Sequence, residues 1–120
     1  MSKTILVIED NEQNMYLVTF ILEKHGYRVL QAQTGIQGLA LAMENQIDLI
    51  LLDIQLPELD GYTIASMIRE VDKLKEIPMI AVTSYAMSGD REKALSSGCT
   101  GYIEKPINPD TFMKEVQQFL

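Results

Sequence analysis

Five short apolar runs alternate along the whole chain with five stretches of helical periodicity, and this alternation is the strongest constraint on the fold. The apolar runs predict strands at residues 4–8, 27–32, 47–52, 79–82 and 101–104. The first and fourth runs lack polar alternation, which is typical of parallel strands buried on both faces. Strict alternation with helices favours a parallel sheet covered on both faces, because right-handed crossovers place the helices there.

The intervening stretches predict helices at residues 12–25, 36–43, 64–71, 91–97 and from 109 onward. Gly26 follows the first predicted helix, at the position where a left-handed residue ends many helices, and the fourth predicted helix ends at Gly98. Asn108, Pro109 and Asp110 supply an N-cap, a first-turn proline and an acid that suits the helix dipole. These residues support five strand-helix units.

A length of 120 residues allows one domain, which we predict to span residues 1–120. Five such units suit an open, doubly wound, flavodoxin-like α/β sheet with strand order 2-1-3-4-5, whereas an eight-stranded barrel needs about twice the length. Ligands of such sheets bind beyond the carboxyl ends of the strands, where the winding direction reverses. The functional site is therefore expected between the ends of the first and third strands.

Polar side chains follow the predicted strands at four of these carboxyl ends. They are Glu9 and Asp10 after the first strand, Asp53 after the third, Thr83 and Ser84 after the fourth, and Lys105 after the fifth. Because the carboxyl ends of parallel strands meet at one edge of the sheet, these side chains are expected to converge.

The three carboxylates of this set repel one another in a partly desolvated crevice, so either their pKa values rise or a divalent cation binds among them. An all-oxygen set favours Mg²⁺, which keeps open positions for phosphate oxygens. Asp53, at the tip of a buried strand, is placed to take up a phosphoryl group as a nucleophile. Lys105 supplies a second positive charge, and Thr83 offers a hydroxyl donor.

Together, and in this order, these residues resemble the receiver domain of two-component response regulators, the CheY-like family, over the whole chain. The resemblance implies that Glu9 and Asp10 position Mg²⁺, that Asp53 is the phosphoacceptor and that Lys105 is the family's lysine. It also implies a cis bond between Lys105 and Pro106. Because the chain ends one helix after this lysine, it looks like a single-domain regulator of the DivK type.

The same resemblance assigns the residues around the acceptor. Thr83 matches the switch hydroxyl and Tyr102 the switch aromatic. At Gln55 the family often carries Met or Asn, and the main-chain carbonyl of this residue is expected to complete the Mg²⁺ shell. The side chains of Gln55 and Tyr85 are expected to flank the phosphoryl group and to influence how easily water attacks it.

The resemblance implies two kinds of protein partner and a signalling role. A histidine kinase or histidine phosphotransfer protein would donate the phosphoryl group, and a downstream target would read the face formed by helix four, strand five and helix five. The chain would be a phosphoacceptor that catalyses only its own phosphotransfer and dephosphorylation, and not an enzyme with another substrate. We expect a monomer or a weak dimer.

Charge and composition exclude other classes of partner. Ten Lys and Arg against seventeen Asp and Glu give a net charge of −7, which repels nucleic acid and anionic membranes. The richest apolar stretch, residues 47–56, is interrupted by Asp48 and Asp53 and is too short to cross a bilayer. Cys99 is the sole cysteine and can form no internal disulfide, so the cytoplasm is the expected compartment.

Three alternative functions fit the sequence less well. A phosphatase with an Asp nucleophile and a haloacid-dehalogenase-like motif would need a second Asp at position 55, which is Gln. A flavodoxin-like flavin site would need a Ser-, Thr- and Gly-rich loop after the first strand, where residues 9–12 instead carry three acids. A scaffold that never accepts phosphate would typically lack Asp53, Thr83 or Lys105, and all three are present.

Overall fold

The computed structural model describes residues 3–56, 59–84 and 88–120. Within these residues the chain forms one five-stranded parallel sheet in the order β2-β1-β3-β4-β5. The strands are β1 (Thr4–Ile8), β2 (Arg28–Ala32), β3 (Leu49–Asp53), β4 (Met79–Thr83) and β5 (Gly101–Glu104). The helices are α1 (Glu12–Lys24), α2 (Gly35–Glu44), α3 (Gly61–Glu70), α4 (Ser88–Ser96) and α5 (Pro109–Gln117). The predicted fold class and strand order are confirmed.

Strand boundaries differ from the sequence prediction by one or two residues, and two of the differences matter for the site. The third and fourth strands each run one residue further than predicted, because Asp53 pairs with Val82 and Thr83 pairs with Glu104 in the parallel ladder. Asp53 and Thr83 are therefore the last residues of rigid strands. At its other end β3 begins at Leu49, two residues later than expected.

Two of the helix boundaries follow the glycine signals. Gly26 has a φ of +89° after α1, and Gly98 has a φ of +110° after α4, so both adopt the left-handed backbone that was predicted. The fourth helix begins at Ser88, three residues before the predicted start. The fifth begins at Pro109, and the side chain of Asn108 accepts the N–H of Asp110 at 2.9 Å.

Each face of the sheet has its own apolar core, because successive residues of a buried strand point to opposite faces. In β1, Ile5 and Val7 pack with α1 and α5, whereas Leu6 and Ile8 pack with α2 and α3. This arrangement fixes every strand from both sides. None of the helices in the described part of the chain has the length and apolar composition needed to span a bilayer.

Arg69 on α3 fixes the end of the molecule opposite the predicted site. Its guanidinium donates to the carbonyl oxygens of Gly98 at 2.8 Å and Leu74 at 2.7 Å, and to the hydroxyl of Thr100 at 3.3 Å. Gly98 and Thr100 lie between α4 and β5. The carboxyl-terminal end of α4 is therefore tied to α3.

Gly61 sets the distance between the start of α3 and the end of β3. Its N–H donates to the carbonyl of Ile54 at 2.9 Å, and the carboxylate of Asp60 caps the helix by accepting the N–H of Thr63 at 3.0 Å. A Cβ at position 61 would lie 2.5 Å from Ile54 Cα and 2.7 Å from the carbonyl oxygen of Asp53. Because these neighbours are backbone atoms of the predicted site, only glycine permits this approach.

Gly61→Ala is therefore expected to lower the free energy of unfolding by about 1 to 3 kcal/mol, since the new methyl group displaces backbone rather than a flexible side chain. Gly89→Ala is the matched control. Gly89 lies in α4 with nothing within 4 Å of its added Cβ, so alanine there is expected to be neutral or to stabilise by up to about 1 kcal/mol. Urea unfolding measures both variants. Equal stability of the two variants would contradict the close packing at Gly61.

Candidate functional site

Three acidic side chains converge at the carboxyl edge of the sheet, where β1 and β3 lie side by side. Oxygen atoms of Glu9, Asp10 and Asp53 all lie within 4.8 Å of one another. Glu9 is 5% exposed and Asp53 is 3% exposed, whereas Asp10 faces solvent. The structure therefore brings together the three carboxylates that the sequence analysis selected, two of them buried.

Lys105 compensates part of this negative charge. Its Nζ lies 3.2 Å from Oε1 of Glu9 and 3.3 Å from Oδ2 of Asp53, so a single ammonium group bridges both buried acids. The main-chain N–H of Lys105 donates to the carbonyl of Thr83 at 2.7 Å, which fixes the residue just after β5 against the end of β4. The Lys105–Pro106 bond is cis, as the resemblance implied.

Two main-chain N–H groups hold the buried carboxylates in place. The N–H of Asn11 donates to Oε2 of Glu9 at 3.1 Å, and the N–H of Gln55 donates to Oδ1 of Asp53 at 2.9 Å. Each carboxylate thus has one oxygen bound to backbone and the other facing Lys105. Both acids are oriented before any ligand binds.

Burial and crowding raise the pKa of Glu9 from its ordinary value of 4.5 to about 7. The largest cause is desolvation, followed by the hydrogen bond with Asp53 and the negative charge of Asp53, while the N–H of Asn11 and the charge of Lys105 act in the opposite direction. The site is therefore strained by excess negative charge at neutral pH. A second positive charge would relieve it.

The donor set fits a hard divalent cation such as Mg²⁺. All three side chains present carboxylate oxygens, they lie close enough to share one ion, and Asp10 faces solvent so that bound water can complete the shell. Soft ligands are absent from the cluster, whose members are Glu and Asp.

Thr83 lies on β4, the strand next to β3, and Tyr102 lies on β5, the edge strand beyond β4. Thr83 is fully buried at the end of β4, one position beyond the Asp53–Val82 pair. Tyr102 pairs with Ala81, is half-buried and packs at the margin of the core under α3 and α4. The two side chains thus lie on the route from the acidic cluster to the outer edge of the sheet.

Gln55 has a contact that the sequence analysis did not foresee. Its side-chain oxygen accepts both the N–H of Ser84 at 3.0 Å and the hydroxyl of Ser84 at 2.6 Å. The sequence shows Ser84 only as a residue at the end of a strand. Its contact with Gln55 depends on the register between β3 and β4, in which Asp53 pairs with Val82. The expected metal-binding role of the Gln55 carbonyl stays a prediction, and Tyr85 lies outside the described residues.

A groove of about 370 Å³ lies on the other side of Tyr102, between α4, β5 and α5. Its lining includes Arg91, Tyr102, Glu104, Pro106 and Glu115. The groove combines charges of both signs with an aromatic ring, which is a composition suited to binding another protein. It adjoins the acidic site through Tyr102 and through the segment that carries Lys105.

Known proteins are similar to this chain over its whole length. The family model described as response regulator receiver domain matches residues 5–117. Among curated proteins, the polar-differentiation response regulator DivK of Brucella anthropi is 42% identical over 120 residues, covering 100% of this chain and 98% of the relative. The DivK protein of Brucella ovis is 41% identical over the same coverage.

Solved structures agree with this match. The chemotaxis protein CheY4 of Vibrio cholerae superposes with a TM-score of 0.96 at 27% identity, with 100% of both chains covered. The receiver domain of sensor histidine kinase PA1611 from Pseudomonas aeruginosa superposes with a TM-score of 0.90 at 35% identity, covering 99% of this chain and 98% of the other. That structure is described with a magnesium ion coordinated in the active site cleft.

The raised pKa of Glu9 predicts a specific pH dependence of stability in the presence of a chelator. The pKa of Glu9 is about 7 in the folded chain and about 4.5 in the unfolded chain. Between these pH values the folded chain binds a proton that the unfolded chain has released, so the free energy of unfolding of the wild type falls as pH rises. Glu9→Gln removes this titration. The free energy of unfolding of Glu9→Gln relative to wild type is therefore expected to increase between pH 4.5 and about 7 and to level off above it.

Urea unfolding at a series of pH values measures this difference, and excess Mg²⁺ supplies the control. The cation takes over the charge compensation, so at pH 8 it is expected to stabilise the wild type more than Glu9→Gln. A stability difference that does not change with pH, or equal stabilisation of both proteins by Mg²⁺, would contradict this account of the site.

Proposed function

The chain belongs to the family of response regulator receiver domains, and we propose that it works as a phosphorylation switch whose acceptor is Asp53. The observation that carries the proposal is the single lysine bridging two buried carboxylates at the carboxyl edge of the sheet, 3.2 Å from Glu9 and 3.3 Å from Asp53. A merely structural ion pair would need one acid. Here a second acid, Glu9, is buried beside the same lysine, and its pKa is raised.

The donor in this proposal is a phosphohistidine on a histidine kinase or a histidine phosphotransfer protein. An oxygen of Asp53 attacks phosphorus, the phosphorus–nitrogen bond breaks, and its electron pair stays with the departing imidazole. The N–H of Gln55 holds Asp53 in one orientation for this attack, because it binds Oδ1 of the carboxylate. Positioning and charge compensation, rather than further covalent chemistry, then account for catalysis.

Charge compensation falls to two groups. Nζ of Lys105 already lies beside Oδ2 of Asp53, so it is close to the oxygens of a phosphoryl group joined there. Mg²⁺, held by Glu9, Asp10, Asp53 and the main-chain carbonyl of Gln55, would offset the charge on the phosphoryl oxygens when bound. Glu9 and Asp10 make no bond to phosphorus in this scheme.

The change at Asp53 reaches the partner surface through Thr83 and Tyr102. A phosphoryl group adds about −1.5 to −2 charges, taking the value for phosphorylated hydroxyls as a guide, and Thr83 moves to donate to it. Tyr102 then turns inward, which reshapes the groove formed by α4, β5 and α5. The phosphoryl group shifts a conformational equilibrium that already exists in the unphosphorylated chain, and a downstream protein binds the reshaped groove.

In this proposal the chain acts as a phosphoacceptor, forms a single domain over residues 1–120 and works in the cytoplasm. The buried thiol of Cys99, whose pKa burial raises to about 11, is poorly reactive and suits that compartment. A phosphorylation-independent scaffold is the competing function, and labelling of the purified chain decides between the two.

Asp53→Asn is expected to abolish phosphorylation by acetyl phosphate or by a phosphohistidine donor, because the amide cannot form an acyl phosphate. Intact-protein mass after incubation with Mg²⁺ measures the adduct. Asp60→Asn is the matched control: it lies in the loop after β3, it is exposed, and asparagine caps α3 as well as aspartate does. Labelling of Asp53→Asn at the wild-type rate would refute the acceptor assignment, and an unlabelled wild type would favour the scaffold.

Lys105→Ala is expected to accept the phosphoryl group from a small donor but to transmit the change poorly. The reason is that Lys105 joins Asp53 to the end of β4 through its side chain and its main-chain N–H. The measurement is the change in NMR amide shifts at Tyr102 and Glu104 on adding beryllofluoride. Lys75→Ala, which removes an exposed ion pair with Asp72, is the control and should respond as the wild type does. A wild-type shift pattern in Lys105→Ala would remove Lys105 from the coupling.

A further inference from the structure

The side chain of Gln55 spans the gap between the two loops that follow β3 and β4. The last main-chain bond between these strands runs from the N–H of Ile54 to the carbonyl of Val82 at 3.0 Å. Beyond this bond the amide oxygen of Gln55, the residue after Ile54, accepts two hydrogen bonds from Ser84, which is two residues after Val82. The oxygen lies 3.0 Å from the nitrogen and 2.6 Å from the hydroxyl oxygen of Ser84.

The same residue is also bound to the acceptor carboxylate. The main-chain N–H of Gln55 donates to Oδ1 of Asp53 at 2.9 Å, so one residue contacts Asp53 with its backbone and Ser84 with its side chain. Ser84 directly follows Thr83, the buried hydroxyl residue at the end of β4. A continuous path of covalent and hydrogen bonds therefore joins Asp53 to Thr83 through Gln55 and Ser84.

The position of Ser84 also bears on α4. The carboxyl-terminal end of this helix is held by the bond from Arg69 to the carbonyl of Gly98 at 2.8 Å. Its amino-terminal end follows the loop that begins at Ser84. Ser84 is the last described residue before α4, which begins at Ser88.

We infer that Gln55 is a positioning residue that holds Ser84, the residue directly after β4, in its resting position, through the two hydrogen bonds between its side-chain oxygen and Ser84. The inference rests on the proposed function. Movement of Thr83 toward a group on Asp53 carries Ser84 with it, because the two residues are adjacent, and stretches both bonds. The bonds stabilise the resting form alone, so their loss favours the activated form.

Linkage sets the direction of the effect. A change that destabilises only the resting form raises the population of the activated form, and a ligand that binds the activated form then binds more tightly by up to the same factor. Two neutral hydrogen bonds to partly exposed groups correspond to about a three- to tenfold change. Beryllofluoride, which takes the place of the phosphoryl group on Asp53, is the probe.

Gln55→Met tests the inference, since methionine keeps the length of the side chain and the N–H to Asp53 but removes the accepting oxygen. We expect its apparent Kd for beryllofluoride, at fixed Mg²⁺, to fall about three- to tenfold. Gln46→Met is the matched control, because Gln46 is exposed and lies just before β3. This variant should bind beryllofluoride as the wild type does. The amide of Ser84 should exchange with solvent faster in Gln55→Met, which reports directly on the lost bond.

Variants at Ser84 separate the restraint from any direct contact between Gln55 and the probe. Ser84→Ala should tighten binding by part of the same factor, since it removes the hydroxyl donor and leaves the N–H. Ser84→Thr keeps the hydroxyl and should restore wild-type binding. The double variant of Gln55→Met with Ser84→Ala should bind no more tightly than Gln55→Met alone, because both changes remove the same interaction.

The outcomes distinguish this inference from the proposed function. If the wild type binds beryllofluoride and Gln55→Met binds it equally or more weakly, the restraint is refuted and the phosphorylation switch stands. If the effects of Gln55→Met and Ser84→Ala add in full, the two residues act separately and the restraint is refuted as well. If the wild type shows no response to beryllofluoride or acetyl phosphate, the proposed function fails and the restraint fails with it.

Discussion

Two carboxylates buried against one ammonium group are the constraint on which the rest of the structure depends. Burying one charged acid is tolerated when a cation and hydrogen-bond donors surround it, and Lys105 with two main-chain N–H groups supplies these for Glu9 and Asp53 together. One ammonium is nevertheless outnumbered by the carboxylates, and the pKa of Glu9 rises as a result. The uncompensated charge makes the site receptive to a divalent cation.

Such a cluster survives only on a rigid support. Both acids and Thr83 lie at or beside the ends of strands that are packed on both faces, so the repulsion cannot simply push the strands apart. Gly61 completes the support, because the start of α3 approaches the backbone of Asp53 and Ile54 more closely than any side chain would allow. The packed sheet thus holds the carboxylates close together against their mutual repulsion.

Hydrogen bonds also tie together residues that lie beyond the ends of the strands. At the far edge of the molecule Arg69 donates two hydrogen bonds to the segment between α4 and β5, at Gly98 and Thr100. At the edge that carries the site, Ser84 directly after β4 donates two hydrogen bonds to the side chain of Gln55, which follows β3. Gln55 is half-buried and Ser84 is exposed. The groove lined by Tyr102 lies between α4, β5 and α5, next to the segment that carries Lys105.

The order of elements, the sheet topology and the members of the acidic cluster could be predicted from the sequence. Hydrophobic periodicity and the glycines at positions 26 and 98 are local signals, and in a parallel sheet the residues after each strand must meet at one edge, so Glu9, Asp10, Asp53 and Lys105 could be selected without coordinates. Only the tertiary structure decided that Asp53 ends a strand rather than begins a loop, that one lysine bridges both buried acids, and that Gln55 binds Ser84. These facts depend on strand register, burial and side-chain reach across distant segments, which no local pattern in the sequence encodes.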